Sequence, residues 1–242
     1  MDSSVARRIA AVTTAVATAL VIVGVSILPF LSPPWVSFEQ ARAQADLWTG
    51  YTPPELDEAT GAILSDLVFG PPAFDVAIDG QAVLDQREQS HMRDVRGVFA
   101  GFAVVVIAAG AALVALYAGA RRLGHGERWW SAVRAGAVGT IVVVAVGGVV
   151  AVFAFDTAFE LFHRLFFAGG TYVFDPARDR LVQLFPFTFW SETTIVLGAL
   201  IVVVAAAVGV VAHLRVGRAA AAGHAGNAAH AVLGRAGEEP TA

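Results

Sequence analysis

Two histidines in this 242-residue chain stand among charged residues at the edges of long apolar runs. His91 lies in the segment SHMRDVR, flanked three residues away on either side by Glu88 and Asp94. His163 lies in FELFHRLFF, three residues after Glu160. Imidazole titrates near neutral pH and is the usual general acid or base of enzymes. The pattern therefore predicts proton-transfer chemistry at the two histidines, with Asp94 and Glu160 in support.

Aromatic residues follow the second histidine closely. Phenylalanine side chains around an imidazole would form a water-poor pocket, which suits a substrate with an acyl chain. The predicted substrate-binding residues are Phe166, Phe167, Tyr172 and Phe174. The same aromatic residues are also typical of an interfacial belt at the headgroup level of a membrane, so both interpretations stay open.

The composition excludes several kinds of chemistry. The chain has no cysteine, which rules out disulfides, thiolate nucleophiles and thiolate metal ligands. All 16 basic residues are arginines, so no lysine nucleophile exists, and a net charge of -4 without a basic patch argues against a nucleic-acid partner. The histidines could join a carboxylate around a metal ion. No HExxH-type pairing occurs, however, and we predict neither a metal site nor a cofactor.

The hydropathy of the chain indicates a membrane protein. Its mean hydropathy is +0.67, and 15% of its residues are charged, whereas soluble domains have about a quarter. Four apolar runs reach the length of about 20 residues that crosses a hydrocarbon core, namely 9–31, 98–120, 135–155 and 194–214. The first run is interpreted as a retained anchor rather than a cleaved signal peptide, because the small residues of a possible cleavage site lie well past its end.

Arginine density predicts the orientation of these spans. Nine of the sixteen arginines lie in the N-terminus, the loop after the second span and the tail, and the positive-inside rule places such segments in the cytoplasm. We therefore expect a multi-pass membrane protein with both termini in the cytoplasm. The predicted fold class is an all-α membrane protein with four transmembrane helices and a small mixed extracytoplasmic cap built from two outer segments.

The predicted organisation has seven consecutive segments. They are the cytoplasmic N-terminus with the first transmembrane helix (1–31), an extracytoplasmic segment (32–97), the second transmembrane helix with a cytoplasmic loop (98–134), the third transmembrane helix (135–155), a second extracytoplasmic segment (156–193), the fourth transmembrane helix (194–214) and a disordered cytoplasmic tail (215–242). Within the first outer segment, the pair Asp79-Gly80 predicts a turn between two strand-like fragments.

Helical geometry predicts that the two histidines lie at a similar depth. With a rise of 1.5 Å per residue, His91 is about 7–8 Å above the edge of the second span near Arg96. If the third helix continues past Asp156, His163 is about 10 Å above the edge of its own span. Two imidazoles from different helices are thus expected near each other at the outer face of the membrane.

Three motifs, taken in order, resemble those of a bacterial integral membrane family. SHMRDVR before the second span, FHRLFF after the third and FDPARDRLVQLFP before the fourth are similar to the family that includes the lipoprotein intramolecular transacylase. The resemblance covers nearly the whole chain. It implies a location in the bacterial cytoplasmic membrane, a lipoprotein or other lipid substrate, and membrane lipids as further partners. The two family histidines fall on His91 and His163.

The activity implied by this resemblance is an intramolecular acyl transfer. Characterised members move the sn-2 acyl chain of a diacylglyceryl-cysteine to the α-amino group of the same cysteine, which gives a lyso-form lipoprotein. A tethered ester and amine gain roughly 7–11 kcal/mol from orientation, so no acyl-enzyme is required. One histidine is expected to act as base and the other as acid, in either order, with Arg93 or Arg164 near the developing oxyanion.

Two other classes of function fit parts of the sequence. A non-enzymatic integral membrane module would bind lipid or an envelope partner through the same aromatic outer segments. A small transporter is disfavoured, because the interiors of the spans lack the charged residues that transport pathways use. Mass spectrometry of lipoprotein N-termini separates the enzyme from the binding module.

Overall fold

The computed structural model describes residues 3–167 and 171–236, and most of these residues are helical. The helices are α1 (Ser3–Ile27), α2 (Pro33–Arg42), α3 (Ala45–Thr49), α4 (Pro53–Val68), α5 (Gln86–Arg122), α6 (Gly126–Phe153), α7 (Phe155–Phe166), α8 (Arg180–Leu184) and α9 (Phe187–Ala236). Strands β1 (Ala77–Ile78) and β2 (Gln81–Ala82) form an antiparallel hairpin. Its turn is Asp79-Gly80, where both residues have positive φ, as the Asp-Gly pair predicts.

Four of the described helices are long and apolar enough to cross a membrane. These are α1 with its 3-10 extension Leu28–Leu31, α5, α6 and α9. The prediction of four membrane-spanning helices is confirmed in length and composition.

The third long helix does not continue into the histidine segment, and this premise of the depth argument was wrong. Helix α6 ends at Phe153 and α7 begins at Phe155, with Ala154 between them in a non-helical conformation (φ −146°, ψ 45°). Helix α7 carries charged residues on one side and Phe and Leu on the other, a pattern typical of a separate helix lying in a membrane interface. The distance of His163 above the edge of its span therefore cannot be calculated from a number of residues along α6.

The fourth long helix extends past the predicted boundary of the tail. Helix α9 runs to Ala236, whereas the predicted disordered segment starts at residue 215. Alanine, the residue with the highest helix propensity, is abundant from residue 219 onward, which accounts for the longer helix. Residues 237–242 of the predicted tail lie outside the described residues.

Close contacts divide the chain into two compact units. The first comprises Met1–Ile22, Ala108–Ile141 and Val203–Ala242. The second comprises Val23–Ile107 and Val142–Val202 and contains both histidines.

Helices α1 and α6 approach closely in the first unit. A Cβ atom at Gly136 would collide with the carbonyl oxygen of Ala15, so the absence of a side chain permits the contact. Thr18 and Thr140 are buried nearby, and their hydroxyls donate to carbonyls four residues earlier in their own helices. Polar groups in these apolar helices are thereby satisfied locally.

The short helices of the second unit share an apolar core with the hairpin. Its fully buried side chains include Phe74, Ile63, Leu84 and Leu184, each 0–1% exposed. Burial of a large apolar side chain contributes about 1.5–3 kcal/mol, so this core accounts for the packing of the short helices. Met92 also belongs to the core. Since Met92 directly follows His91, the core holds the start of α5 in place.

A buried carboxylate joins α2 to α9 in the second unit. Glu39 is 1% exposed and hydrogen-bonds with Glu192, which accepts from Nε of Arg42 at 2.6 Å. Burial, and then the proximity of Glu192, raise the pKa of Glu39 from 4.5 to about 7, although Arg42 acts in the opposite direction. The protonated form of Glu39 is therefore the one that the fold favours.

We expect this carboxylate to make the stability depend on pH. Because the folded-state pKa is above the unfolded value of 4.5, its contribution is fully present below pH 4.5 and is lost as the pH rises through about 7. Glu39→Gln, which is permanently neutral, should melt at a higher temperature than wild type near pH 8, with a smaller difference near pH 5. Thermal unfolding in detergent checks this, with exposed Glu58→Gln as control. A difference that stays constant with pH would contradict it.

Candidate active site

The two predicted histidines lie close together in the second unit. Their ring centroids are 6.1 Å apart, and the ring planes are inclined by 22°. His91 comes from the second turn of α5 and is 5% exposed, whereas His163 comes from α7 and is half-buried. The imidazoles therefore form a stacked pair with one buried and one accessible member.

Aromatic side chains enclose the imidazole pair. The buried ring of Phe167 lies 4.8 Å from His91 and 5.4 Å from His163. Phe174 packs on His91 at 5.3 Å, and Tyr172 packs on His163 at 5.2 Å. Three of the four residues predicted to bind substrate thus line the pair.

The fourth, Phe166, lies elsewhere. It is 48% exposed, and its ring packs on Phe162 at 4.9 Å. Helix α7 ends at Phe166, and the extended backbone of Phe167 (φ −125°, ψ 145°) brings the next ring to the imidazoles instead.

The hydrogen bond of His163 determines its tautomer. Nδ1 of His163 lies 2.8 Å from the carbonyl oxygen of Phe159. A carbonyl oxygen only accepts, so Nδ1 donates, and Nε2 of the neutral ring has a free lone pair. The Phe159 ring also packs on His163 at 4.1 Å. Phe159 is not among the site residues predicted from the sequence, although the carbonyl four residues earlier in a helix is a regular hydrogen-bond partner of a side chain.

Glu160, whose spacing allows it to reach either His163 or Arg164, pairs with Arg164. Glu160 accepts from Nε of Arg164 at 2.8 Å, an ordinary i,i+4 ion pair. Glu160 and then Tyr172, which hydrogen-bonds with Arg164, raise the pKa of the guanidinium above its usual value. Arg164 is therefore a permanent cation linked through Tyr172 to the ring of His163.

The carboxylates that flank His91 do not orient its buried nitrogen. Within the described residues, Nδ1 of His91 is buried without a hydrogen-bond partner. Asp94 interacts with His91 only through charge. Arg93, the other candidate cation, donates to the carbonyl oxygen of Ala73 at 3.5 Å. An unsatisfied atom beside a stacked imidazole marks a position at which a bound molecule would find a partner.

Glu88 links the start of α5 to the first turn of α8. The two side-chain oxygens accept from the backbone N–H groups of Leu181 and Asp85, both at 2.7 Å, and Asp85 caps the Glu88 N–H in return. Glu88 is 2% exposed. From the sequence, Glu88 is expected only as a neighbour of His91. The Asp85-x-x-Glu88 spacing, which is a capping box, was the signal for its structural role.

A second connection, beside that of Glu88, joins α5 to the segment before α8. Arg87 donates to Asp179 at 2.7 Å and places its guanidinium 5.1 Å from the centre of the Phe174 ring. These residues, with Val173 and Arg178, line a cavity of about 320 Å³. Phe174 contacts His91. The ion pair of Arg87 with Asp179 and the hydrogen bond of Glu88 with Leu181 therefore hold the segment that carries Phe174 against the first turns of α5. Within the described residues, no group of three potential metal ligands occurs.

Comparison with solved structures shows the same fold. The chain matches a structure of the membrane integral lipoprotein intramolecular transacylase Lit from Bacillus cereus with a TM-score of 0.75 and 16% identity, over 92% of this chain and 99% of that one. A variant of that protein with one histidine changed to arginine matches at 0.73 and 18%, over 89% and 94%. The corresponding alanine variant matches at 0.71 and 18%, over 89% and 96%. Comparison with curated protein sequences finds no match.

A family comparison covers most of the sequence. The family model described as lipoprotein intramolecular transacylase Lit matches residues 12–190, which include both histidines and all three motifs of the sequence analysis. The chain therefore belongs to the lipoprotein intramolecular transacylase Lit family.

Proposed function

We propose that the chain is an intramolecular transacylase that acts on lipoproteins. It moves one acyl chain from the glyceryl ester of an N-terminal diacylglyceryl-cysteine to the α-amino group of the same cysteine, which gives a lyso-form lipoprotein. Membership of the family supports this activity. The observation that carries it is the imidazole pair, His91 and His163, with ring centroids 6.1 Å apart.

After the amine has been set free, the reaction needs three proton transfers that such a pair can serve. The α-ammonium group first loses one proton to solvent. The free amine attacks the ester carbonyl carbon and forms the C–N bond, and one imidazole accepts the surplus proton of the nitrogen. The bond from the carbonyl carbon to the glyceryl oxygen breaks, and the other imidazole protonates this oxygen. The proton that the first imidazole accepts passes to the second over the reach of a bridging water before it goes to the oxygen, so both rings return to their starting state.

The hydrogen bond of His163 suggests the roles. Its Nδ1 is occupied by the Phe159 carbonyl, so Nε2 is the free base, and this half-buried ring is accessible to an amine. We assign His163 as the base that accepts the amine proton and His91 as the ring that passes this proton on to the glyceryl oxygen. Of the two predicted cations, Arg164 is the better stabiliser of the oxyanion, because Tyr172 links it to His163. Asp94 and Glu160 adjust the charge near the pair, and Arg93 supports the loop at Ala73.

The aromatic residues would hold the acyl chains. Phe167, Tyr172 and Phe174 line the pair directly, and the exposed ring of Phe166 extends the apolar surface outward. A covered apolar wall excludes water from the tetrahedral intermediate, which protects the acyl group from hydrolysis. The intramolecular reaction requires no cofactor.

We further propose the membrane orientation that arginine density supports. Both termini face the cytoplasm, and segments 32–97 and 156–193 together form an extracytoplasmic cap with the histidines at its lipid boundary. The first six segments derived from the sequence follow from this orientation, and the seventh lies in the cytoplasm with α9 continuing to Ala236. This orientation places the site in the leaflet that displays mature lipoproteins.

Phe167→Ala is expected to lower the transfer rate by about tenfold to a hundredfold. Its ring touches both imidazoles, and its removal leaves a cavity into which either imidazole can rotate. Phe69→Ala, at a ring that is 89% exposed, serves as control and should transfer at the wild-type rate. Rates measured on a diacyl lipopeptide in detergent check the prediction. Equal transfer rates for the two variants would show that the Phe167 ring does not contribute to the reaction.

The proposed function is tested by expression in a bacterium that makes diacyl lipoproteins. Mass spectrometry of the N-terminal lipopeptide should show one acyl group on the amine and one remaining on glycerol, at an unchanged total mass. Unmodified diacyl lipopeptides, at a level of membrane protein that immunoblotting confirms, would contradict transfer. That result would favour the module that binds lipid or an envelope partner without catalysis.

A further inference from the structure

The first unit contains a cavity that is remote in sequence from both histidines. It has a volume of about 410 Å³, within the range of about 300–1,000 Å³ typical of ligand pockets. Side chains of α1, α5, α6 and α9 line it, among them Thr18, Ile22, Leu113, Trp129, Trp130 and Val211. The Thr18 hydroxyl is already bonded to the Thr14 carbonyl, so the walls of the cavity are apolar.

One polar atom at this cavity lacks a partner. Nε1 of Trp129 is buried and has no acceptor among the described residues. Indole N–H is a donor only, and a buried donor in a native structure normally has a partner, if not in the protein then in a bound molecule. A ligand that fills this cavity is therefore expected to carry an acceptor oxygen as well as an apolar chain.

Arginines beside the cavity lack counter-charges. The Arg215 guanidinium lies 5.7 Å from the centre of the Trp130 ring, and Arg134 contacts His213 at 3.2 Å. Neither arginine takes part in any of the ion pairs that the structure describes. In the described part of this unit, Glu127 is the one acidic residue. The cavity therefore presents an apolar interior beside an uncompensated positive charge.

We propose that this cavity binds an anionic phospholipid. One acyl chain fills the apolar interior, an ester carbonyl oxygen accepts from Nε1 of Trp129, and the phosphate lies near Arg134 and Arg215. A free anion would leave the interior empty, and a zwitterionic lipid would bring its own cation toward the arginines. Basic pockets between membrane helices are known to hold anionic headgroups. The site is independent of the proposed transfer reaction.

Native mass spectrometry of the full-length protein in detergent tests the site. Phosphatidylglycerol and phosphatidylcholine with the same acyl chains are titrated separately, and bound lipid is counted. We expect wild type to retain phosphatidylglycerol about tenfold more strongly or better. Trp129→Phe should weaken both lipids by about threefold to tenfold, since one hydrogen bond is lost. The double variant Arg134→Gln/Arg215→Gln should lose the preference for phosphatidylglycerol.

Matched controls lie in the second unit. Trp48→Phe and Arg178→Gln change the same residue types at exposed positions and should bind both lipids as wild type does. Melting temperatures of all variants show that each is folded. Equal retention of the two lipids by wild type would overturn the proposal. The proposal would also be overturned if Trp129→Phe and the double arginine variant both bound the two lipids as their controls do.

Discussion

Replacement of His163 or of His91 by alanine is expected to slow acyl transfer by at least about a hundredfold, because positioned acids and bases contribute about 10²–10⁴ to a rate. The two rings form one stacked pair, so the double variant should lose little more than either single variant. The measurement is the rate of N-acyl product formation from a diacyl lipopeptide by purified protein.

The control for this prediction is His125→Ala. His125 is exposed and lies between α5 and α6, outside the second unit. Its removal should leave the rate unchanged. A His163→Ala or His91→Ala protein that is folded and transfers as fast as His125→Ala would show that the imidazole pair is not the catalytic group. Additive losses of the transfer rate in the double variant would show that the two histidines act independently and not as one pair.

Glu88→Ala is expected to destabilise the protein by about 3 kcal/mol. Two backbone N–H groups, of Leu181 and Asp85, would lose a buried carboxylate partner, and hydrogen bonds to charged groups contribute about 1.5–3 kcal/mol each. For a chain of this size, the apparent melting temperature should fall by roughly 6–12 °C. Transfer should fall as well, since the segment that carries Phe174 is released from α5.

Glu127→Ala is the matched control for Glu88. Both residues are acidic and lie in the first turn of a long helix, so both interact similarly with the helix dipole. Glu127 is exposed, and Glu88 is buried. Thermal unfolding in detergent should show a small change for Glu127→Ala. Equal shifts for the two variants would show that the bonds to Leu181 and Asp85 contribute nothing beyond the dipole.

Much of the architecture could be predicted from the sequence, because apolar runs are a strong signal. The four membrane-spanning helices and the Asp79-Gly80 turn follow from hydropathy and turn chemistry alone. The break at Ala154 could not be predicted in this way. Alanine is a good helix former, and neither Gly nor Pro stands at the junction of α6 and α7, so the sequence carries no breaker residue there.

The site was predictable in its members more than in its contacts. The residue types in SHMRDVR and FELFHRLFF pointed to His91 and His163, and the rings lie together even though the depth count rested on a continuous helix. The partners differ from those expected from spacing. His163 bonds to the carbonyl of Phe159 rather than to Glu160, because an i,i+4 arginine occupies that carboxylate. Backbone acceptors leave no signature in side-chain types.

The most direct test of the account is a crossover experiment with purified protein. Two diacyl lipopeptides are mixed, one with a deuterated sn-2 chain on a light peptide and one with an unlabelled chain on a heavy peptide. Tandem mass spectrometry then locates the label. The account predicts deuterated chains on the amine of light peptides alone, with formation of this product lost in His91→Ala and His163→Ala. Label on the amine of heavy peptides, or undiminished transfer in both variants, would contradict it.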